Sequence, residues 1–452
     1  MELANELAGK DVLVLGLGMS GLSAAEFCAR NGARVVAADE RPAEALRGLD
    51  ALPADVKVMA GAPLPDPSSF DLVVPSPGVP AERYAGRARR AWGDIELAGR
   101  ALAVPVVAVT GTNGKSTTVC LIEAMLRAAG LRASKGGNVG TPALDLPGQA
   151  IDVAVLEVSS FQLEAVESFR PRVAVVLNLT PDHLDRHGDF ARYAETKRRI
   201  LARQGDGDVA ILNFDCAPVR AFAEGTGGEV VPVSARGPAT DVGCEREGWL
   251  DAESIVLRAG GSLQRFPLDS LPLAGAHNRF NALAALTAAW VLGAEPARAL
   301  EALIDFRGLP HRSEIVGPIA GVTFVNDSKA TNPGAALQSL GGHGRPVIWI
   351  AGGRDKDLSF EALADGAVKR VSHALLIGEA APKIEAALAG RVPCERCEDL
   401  EQAVARAAGL AKPGDVVLLA PACASFDQFA SYEDRGNRFR NAALALQREV
   451  VG

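Results

Sequence analysis

No apolar run in this 452-residue chain approaches the roughly 20 residues that a helix needs to cross a bilayer. The opening stretch, MELANELAGK, lacks a basic segment followed by an apolar one, so it does not read as an export signal. Positive charge is scarce as well: 47 lysines and arginines stand against 55 aspartates and glutamates, a formal net charge of −8. A nucleic acid or an anionic membrane would favour a basic surface, so neither is expected as a partner. Any anionic ligand must then be held by local groups. The seven cysteines lack the spacing of a disulfide framework. Cys394 and Cys397 form one CxxC pair, but no second pair or neighbouring histidine completes a zinc site, and they read as reduced thiols. Short-period repeats and low-complexity tails are missing too. The expectation is a soluble cytoplasmic protein of about two to four globular domains.

Short apolar runs alternate with helical patterns along the whole chain. Asp11–Leu15, Arg34–Asp39 and Asp71–Val74 read as buried strands, with a helix over Leu22–Arg30 stopped by Gly32. This βαβ order predicts a parallel sheet covered by helices. A second block begins at Val106–Val109 and continues with strands at Asp152–Val158, Arg172–Leu177 and Asp208–Leu212. Residues 224–261, rich in Gly, Ser, Thr and charge, predict loops and short antiparallel strands at that sheet's edge. Leu283–Leu292 predicts an apolar helix ended by Gly293. The third block repeats the order, with strands at Thr323–Asn326, Pro346–Ala351, Ala374–Ile377 and Asp415–Leu419. The expected fold is α/β in three domains: residues 1–102, 103–309 and 310–452.

The most informative segment is VVAVTGTNGKSTTVCLIEAMLRAAG, Val106 to Gly130. A buried strand runs into a turn made by Gly111, Thr112, Asn113 and Gly114, then into a helix. Leu121, Ile122, Met125, Leu126 and Ala129 form the helix's apolar stripe, and Gly130 follows as its cap. This is the context of a phosphate loop. Backbone N–H groups at a helix N-terminus surround phosphates, Lys115 neutralises them, and Ser116 or Thr117 can ligate Mg²⁺. The spacing departs from GxxxxGK[ST], because position 109 is valine. An incidental glycine turn would not need strand, GKST and helix together.

Polar residues gather where the other strands end, which is where ligands sit in open α/β sheets. Glu157 closes an otherwise apolar strand, and Asp182 with His183 follows the next one. A carboxylate and a neutral imidazole suit Mg²⁺ or Mn²⁺; Glu157 taken alone would read as half of a salt bridge. Lys197 lies in the middle of an apolar helical face with Phe190, Tyr193, Ala194, Ile200 and Leu201, behind a cap at Asp189. It either snorkels to water or is buried, and burial favours the neutral amine that can form a carbamate. GLGMSG, Gly16 to Gly21, with Asp39 closing the second strand, matches GxGxxG and leaves an NAD-dependent dehydrogenase open as an alternative. In the third block NDSKATNP, AGGRDKD and APACASFDQFASYEDRG each follow a predicted strand. Their Lys329, Thr331, Lys356 and Ser425 offer cations and donors to a carboxylate ligand.

Together these segments closely resemble the Mur ligase family over essentially the whole chain. The resemblance is carried by GLGMSG, SPG, TGTNGKST, GGNVG, EVSSFQL, NLTPDHLDRH, AHNRFNALAA, LPHR, NDSKATNP, PACASFDQF and EDRG. SKATN and PACASFDQF resemble the branch that adds D-glutamate, and the DNPR-like element of the diaminopimelate- or lysine-adding branch is not seen. The resemblance implies a Rossmann-like UDP-binding first domain, a central P-loop-type ATPase domain with a mixed sheet, and a Rossmann-like amino-acid-binding third domain. It implies ATP-dependent joining of D-glutamate to UDP-N-acetylmuramoyl-L-alanine through an acyl phosphate, by a monomer in the cytoplasm making peptidoglycan precursor. It further implies two Mg²⁺ ions, one held by Ser116 and Glu157, the other by His183 and a carbamylated Lys197. Lys115, His183 and Lys197 would carry the catalysis, and Asn278, Arg312 and Asp327 would join the phosphate loop in binding ATP. Met19, Ser20, Asp39, Arg41, Ser76 and Gly78 would hold the uridine diphosphate, and Asn138, Ser159 and Gln162 the muramoyl-alanine end. Lys329, Thr331, Lys356, Ser425 and Tyr432 would form the glutamate pocket. Tyr432 stands where some relatives have Phe, which puts its contact on the backbone. Folylpolyglutamate synthetases share much of this plan but do not need a uridine-binding first domain. A non-catalytic nucleotide-binding module is the remaining alternative.

Overall fold

The computed structural model describes residues 2–239, 243–268, 275–304, 306, 308–343, 346–355 and 359–451. It contains three sheets. The first is four parallel strands, β1 (Asp11–Leu15), β2 (Arg34–Asp39), β3 (Lys57–Ala60) and β4 (Leu72–Pro75), in the order β3-β2-β1-β4. The helix Met19–Arg30 crosses from β1 to β2 and buries Ala24, Ala25, Phe27 and Cys28. It begins three residues before its apolar pattern does. Its first turn, Met19 to Gly21, has no apolar face to announce it.

The second sheet has nine strands: β5 (Val106–Thr110), β6 (Ala133–Gly137), β7 (Val153–Glu157), β8 (Val173–Val176), β9 (Val209–Asn213), β10 (Glu229–Ser234), β11 (Arg246–Leu250), β12 (Ser254–Ala259) and β13 (Ser262–Pro267). Their order is β13-β12-β11-β10-β9-β8-β5-β7-β6. Strands β5 to β11 pair in parallel, and only the β11–β12 and β12–β13 pairs are antiparallel. The expectation of antiparallel edge strands therefore fails for β10 and β11, which extend the parallel core. The third sheet joins β14 (Glu314–Ile319), β15 (Val322–Asn326), β16 (Val347–Gly352), β17 (Val371–Ile377), β18 (Cys394–Arg396) and β19 (Val416–Leu419) in the order β14-β15-β19-β16-β17-β18. It is parallel except for β14 against β15. The chain is thus α/β with one all-parallel and two mixed sheets.

Five strands had no counterpart in the sequence reading: β3, β6, β13, β14 and β18. All lie at sheet edges. An edge strand need not be apolar on both faces, so KVMA, ASKGG and CER carry no buried-strand pattern.

The chain packs as two compact units. One holds the first two sheets, and the other holds the third sheet with Asp182–Asp185 and residues 275–279. Within the first unit a single apolar core runs from Val12, Val14, Leu72 and Val74 through Trp92, Ile95 and Leu97 to Ala108, Leu156 and Val176. In the second unit helices cover both faces of the sheet, with Trp349 and Leu376 buried on one and Ile350 and Phe439 on the other. Among the described residues no helix is long and apolar enough to cross a membrane. All seven cysteines are free thiols.

Candidate active site

Register brings the chemistry to one edge of the second sheet. Val109 of β5 pairs with Glu157 of β7, Glu157 pairs with Gly137 of β6, and Thr110 pairs with Val176 of β8. The carboxyl ends of four parallel strands therefore finish level. The phosphate loop leaves β5 here and opens the helix Lys115–Ala128. Leu121, Ile122, Met125 and Leu126 are buried, as the stripe predicts. The turn needs its glycines: Gly114 has φ +88°, and a Cβ there would lie 2.6 Å from Asn281 Oδ1. Asn178 holds the loop from β8, because its Oδ1 accepts the Asn113 N–H at 2.8 Å and its Nδ2 donates to Asn113 O at 3.0 Å. Lys115 folds over the turn and donates to Gly111 O and Thr112 O, each at 2.9 Å. Its ammonium is poised over the turn that a phosphate chain would enter.

Behind the loop, the buried Ser116 hydroxyl bonds to Glu157 Oε2, and Asn138 Nδ2 donates to Glu157 Oε1 at 2.9 Å. Glu157 is 2% exposed. A hydroxyl and a carboxylate sharing one point form an all-oxygen donor pair, the kind Mg²⁺ prefers. Lys197 does not snorkel. It is 2% exposed, and its Nζ donates to Thr110 Oγ1 at 3.2 Å, at the end of β5. The centroid of the Tyr193 ring, one turn earlier, lies 5.1 Å from that nitrogen, and the Tyr193 hydroxyl shares a hydrogen bond with Thr112 Oγ1 at 2.9 Å. Asp189 caps this helix by accepting the Arg192 N–H at 2.8 Å. Among the described residues no cluster of three His, Cys, Asp or Glu forms a metal site.

The residues assigned to the nucleotide's uridine end surround the β1 turn. Met19 is 69% exposed at the helix start. Ser76 Oγ donates to Gly16 O at 2.7 Å, and Gly78 is exposed in the loop after β4. Asp39 is already engaged by protein donors: Leu17 N at 2.8 Å, Arg41 N at 2.9 Å, and the Arg41 guanidinium at 3.0 and 2.7 Å. Hydrogen bonding from Arg41 pulls its carboxyl down to about 2. Ser159 caps a short helix through a reciprocal pair with Gln162: its Oγ accepts the Gln162 N–H at 3.2 Å and Gln162 Oε1 accepts the Ser159 N–H at 3.0 Å.

The second unit carries the other assigned residues. Lys329 Nζ lies 3.6 Å from the centroid of the Tyr432 ring, so Tyr432 is used through its ring as well as its carbonyl, which accepts the Ser328 hydroxyl at 2.8 Å. Thr331 N donates to Lys329 O at 2.8 Å, and Ser425 is buried. Burial raises the Asp327 carboxyl above its usual range, against the pull of Ser339, Arg312 and Ser313. Asn278 is half-buried in the first turn of the helix Ala276–Val291. Asp182 accepts the His183 N–H at 3.0 Å and Asn332 Nδ2 at 3.2 Å. Lys356 lies outside the described residues. Left-handed backbone at non-glycine residues falls within these motifs, at His183, His311, Ser313 and Ala422. Such strain is retained where the surroundings over-determine it.

Sequence reasoning missed Asn178, Asn281 and Arg435. Arg435 is fully buried and donates to Ser328 O at 2.8 Å, Ser328 Oγ at 2.9 Å, Cys423 O at 3.2 Å and Ala424 O at 3.3 Å. Burial lowers its guanidinium to about 10, still charged at neutral pH. It ties the NDSK loop to the PACAS loop. The only signal for it was an arginine in EDRG after a run of motif residues, and a solvent-facing helix arginine would look the same.

A phosphate loop at the carboxyl edge of a mixed parallel sheet, with a lysine over it and a hydroxyl–carboxylate pair behind it, defines a nucleotide-dependent α/β enzyme. Family models narrow the class. The "Mur ligase MurD-like, N-terminal domain" matches residues 10–93, the "Mur ligase middle domain" residues 109–289 and the "Mur ligase, glutamate ligase domain" residues 311–423. The UDP-N-acetylmuramoylalanine–D-glutamate ligase of Geobacter metallireducens is 43% identical over 451 residues, 98% of each chain. That of Anaeromyxobacter dehalogenans is 47% identical over 467 residues, 98% of this chain and 100% of the relative. Among solved structures, the MurF ligase of Thermotoga maritima in complex with ADP superposes with a TM-score of 0.62 at 18% identity, covering 99% of this chain and 97% of that one. A pseudomurein peptide ligase type C from Methanothermus fervidus gives 0.61 at 18%, covering 96% and 100%. These last two show the shared fold. The chain belongs to the Mur ligase family.

Proposed function

We propose that the protein joins D-glutamate to UDP-N-acetylmuramoyl-L-alanine in the cytoplasm, using ATP and Mg²⁺, as a step in making peptidoglycan precursor. The observation that carries this reading is the convergence of Lys115, Ser116, Glu157 and buried Lys197 at one sheet edge, in a chain aligned end to end with D-glutamate ligases. A carboxylate is a poor electrophile. Transfer of the γ-phosphoryl group to a carboxylate oxygen releases ADP and supplies a leaving group. The glutamate nitrogen then bonds to the carbonyl carbon, loses a proton, and phosphate departs with the C–O bond's electrons.

In this reading Gly111, Thr112, Asn113, Gly114 and Thr117 cradle the phosphates, and Lys115 turns from the carbonyls of Gly111 and Thr112 to phosphate oxygens. Ser116 and Glu157 would hold one Mg²⁺, and His183 and a carbamylated Lys197 are assigned to a second; bound Mg²⁺ would supply charge neutralisation for the transferring group. The uptake of CO₂ by the neutral Lys197 amine, with loss of a proton, converts a costly buried cation into an anionic ligand. Asn278, Arg312 and Asp327 are assigned to ATP. Met19, Ser20, Asp39, Arg41, Ser76 and Gly78 serve the uridine diphosphate, and Asn138, Ser159 and Gln162 the muramoyl-alanine. Lys329, Thr331, Lys356, Ser425 and Tyr432 serve D-glutamate. The proposed domain limits are 1–102, 103–309 and 310–452, supported by sheets spanning 11–75, 106–267 and 314–419. A monomer with no nucleic-acid or membrane partner completes the proposal.

Phosphate release measured with Mg²⁺-ATP, UDP-N-acetylmuramoyl-L-alanine and a panel of D- and L-amino acids tests it. Release that depends on D-glutamate is expected. A response to another amino acid and not to D-glutamate would reassign the reaction to a different member of the family. For Lys197→Ala, turnover is expected to collapse; near-normal turnover without added short-chain acids would remove the carbamate from the proposal.

A further inference from the structure

We infer that Asp94 is a positioning residue for the acceptor nucleotide, fixing Gln162 and, through it, Ser159. The inference deepens the function proposed above and rests on its assignment of Ser159 and Gln162 to the acceptor. Asp94 opens the helix Asp94–Ala101, which leads from the first sheet to the second, and is 3% exposed. Its Oδ2 accepts Gln162 Nε2 at 2.9 Å, and its Oδ1 accepts the Ile95 N–H at 2.9 Å. Gly93 draws the two segments together: its N–H donates to Ala165 O at 2.8 Å, and a Cβ there would lie 3.3 Å from that of Ala165.

The direction of each bond is forced. Gln162 Oε1 accepts the Ser159 N–H, which can only donate. The Gln162 amide nitrogen must then face Asp94, so Asp94 must accept there, and it must also accept from Ile95 N–H. A carboxylate meets both demands; an asparagine of the same shape cannot, because its NH₂ would face one donor or the other. A mismatch at so buried a point turns Gln162 over and breaks the Ser159 cap. One acidic side chain thereby holds the segment that follows Glu157 from the helix that leads out of the first sheet.

Glu96 supplies the control. It sits on the same helix, is fully buried, and accepts Glu167 N at 2.8 Å, Phe169 N at 2.9 Å, Ser168 Oγ at 2.6 Å and Arg100 Nε at 2.6 Å. It rivets the same two sheets while touching none of the residues assigned to substrate. A merely structural role for Asp94 would make the two acids behave alike.

The test uses full-length wild-type protein, Asp94→Asn, Glu96→Gln and the milder Asp94→Ser. Calorimetric titration with UDP-N-acetylmuramoyl-L-alanine is run beside phosphate-release kinetics and thermal melts. Asp94→Asn is expected to weaken acceptor binding and raise its KM about tenfold, the scale of one lost buried hydrogen-bond arrangement, with KM for ATP within about twofold of wild type. Asp94→Ser, which keeps one acceptor, is expected to shift the same constants about threefold, and it serves if the asparagine variant does not fold. Glu96→Gln should lower the melting temperature and leave acceptor affinity unchanged. Unchanged acceptor affinity in both Asp94 variants, or an equal loss in Glu96→Gln, overturns the inference. Wild-type protein that binds the acceptor but releases no phosphate counts against the ligase reaction, while the ratio of the binding constants still decides Asp94. Wild-type protein that does not bind the acceptor overturns both.

Discussion

Two glycine-rich turns in the first unit share one local plan and differ in everything around it. Each follows a parallel strand, and each opens a helix whose N-cap is a glycine without a capping side chain. In the turn after β1 the glycines answer to the protein's own packing. A Cβ on Gly16 would press on Val79 and Ser76, and one on Gly21 would overlap the Gly16 carbonyl. Its acid, Asp39, is taken up by Leu17 and Arg41, and its outermost side chain is the exposed Met19. The turn after β5 is lined instead by Lys115, Ser116, Glu157 and Lys197. The comparison teaches that GxGxxG and GxNGKS specify only a close backbone approach at a helix N-terminus. The side chains on neighbouring strand ends differ between the two turns, and the proposed function assigns reactive phosphates to one and the passive end of a nucleotide to the other.

The sharpest way to separate the two turns is Lys115→Ala. It should lower turnover about a thousandfold, the scale of removing one preorganised cation from a transferring phosphoryl group, and leave calorimetric affinity for the UDP acceptor unchanged. Loss of acceptor affinity as well would mean the turns are not distinct in role. Next comes Glu157→Gln, which keeps the shape and removes the charge. The Mg²⁺ concentration for half-maximal phosphate release should rise by about tenfold to a hundredfold, and an unchanged Mg²⁺ requirement would remove Glu157 from the metal site.

The turn after β1 is probed through Asp39. Its carboxyl in the folded chain titrates at about 2, below the usual value of 3.8. A depressed carboxyl stabilises the fold fully above about pH 4 and loses that contribution as pH falls towards 2. Asp39→Asn should therefore cost of the order of 2 kcal/mol at neutral pH, and in urea titrations its deficit against wild type should shrink steadily between pH 4 and 2. A deficit independent of pH would place the effect in shape and not in charge. The smallest change expected is for Met19→Ala. Losing one exposed apolar contact should raise acceptor KM about threefold or less and leave KM for ATP alone; equal shifts in both would undo the assignment of the two turns.

Legibility in the sequence followed burial. Strands buried on both faces, such as β1, β2, β5, β7, β8, β9 and β16, announced themselves to within a residue or two. Such strands are continuous apolar runs, and water's exclusion is what shaped them. The edge strands β3, β6, β13, β14 and β18 did not, because one side faces no partner strand. The same logic held for the site. Lys115, Ser116 and Glu157 were legible because their positions at a strand end or turn follow from local order.

Lys197 was ambiguous on paper, since a snorkelling lysine and a buried one leave the same helical spacing. Its 2% exposure and its bond to Thr110 removed the ambiguity. By itself the sequence determined the class of fold, the glycine-rich turn that opens the helix after β5 and the family, because periodicity and motif spacing are properties of neighbours along the chain. Only the tertiary structure decided that Asp39 accepts from Leu17, that Arg435 binds two motif loops, and that Asp94 reaches Gln162. Those hydrogen bonds join atoms brought together by packing, and no local rule encodes which distant donor a buried carboxylate or guanidinium will meet.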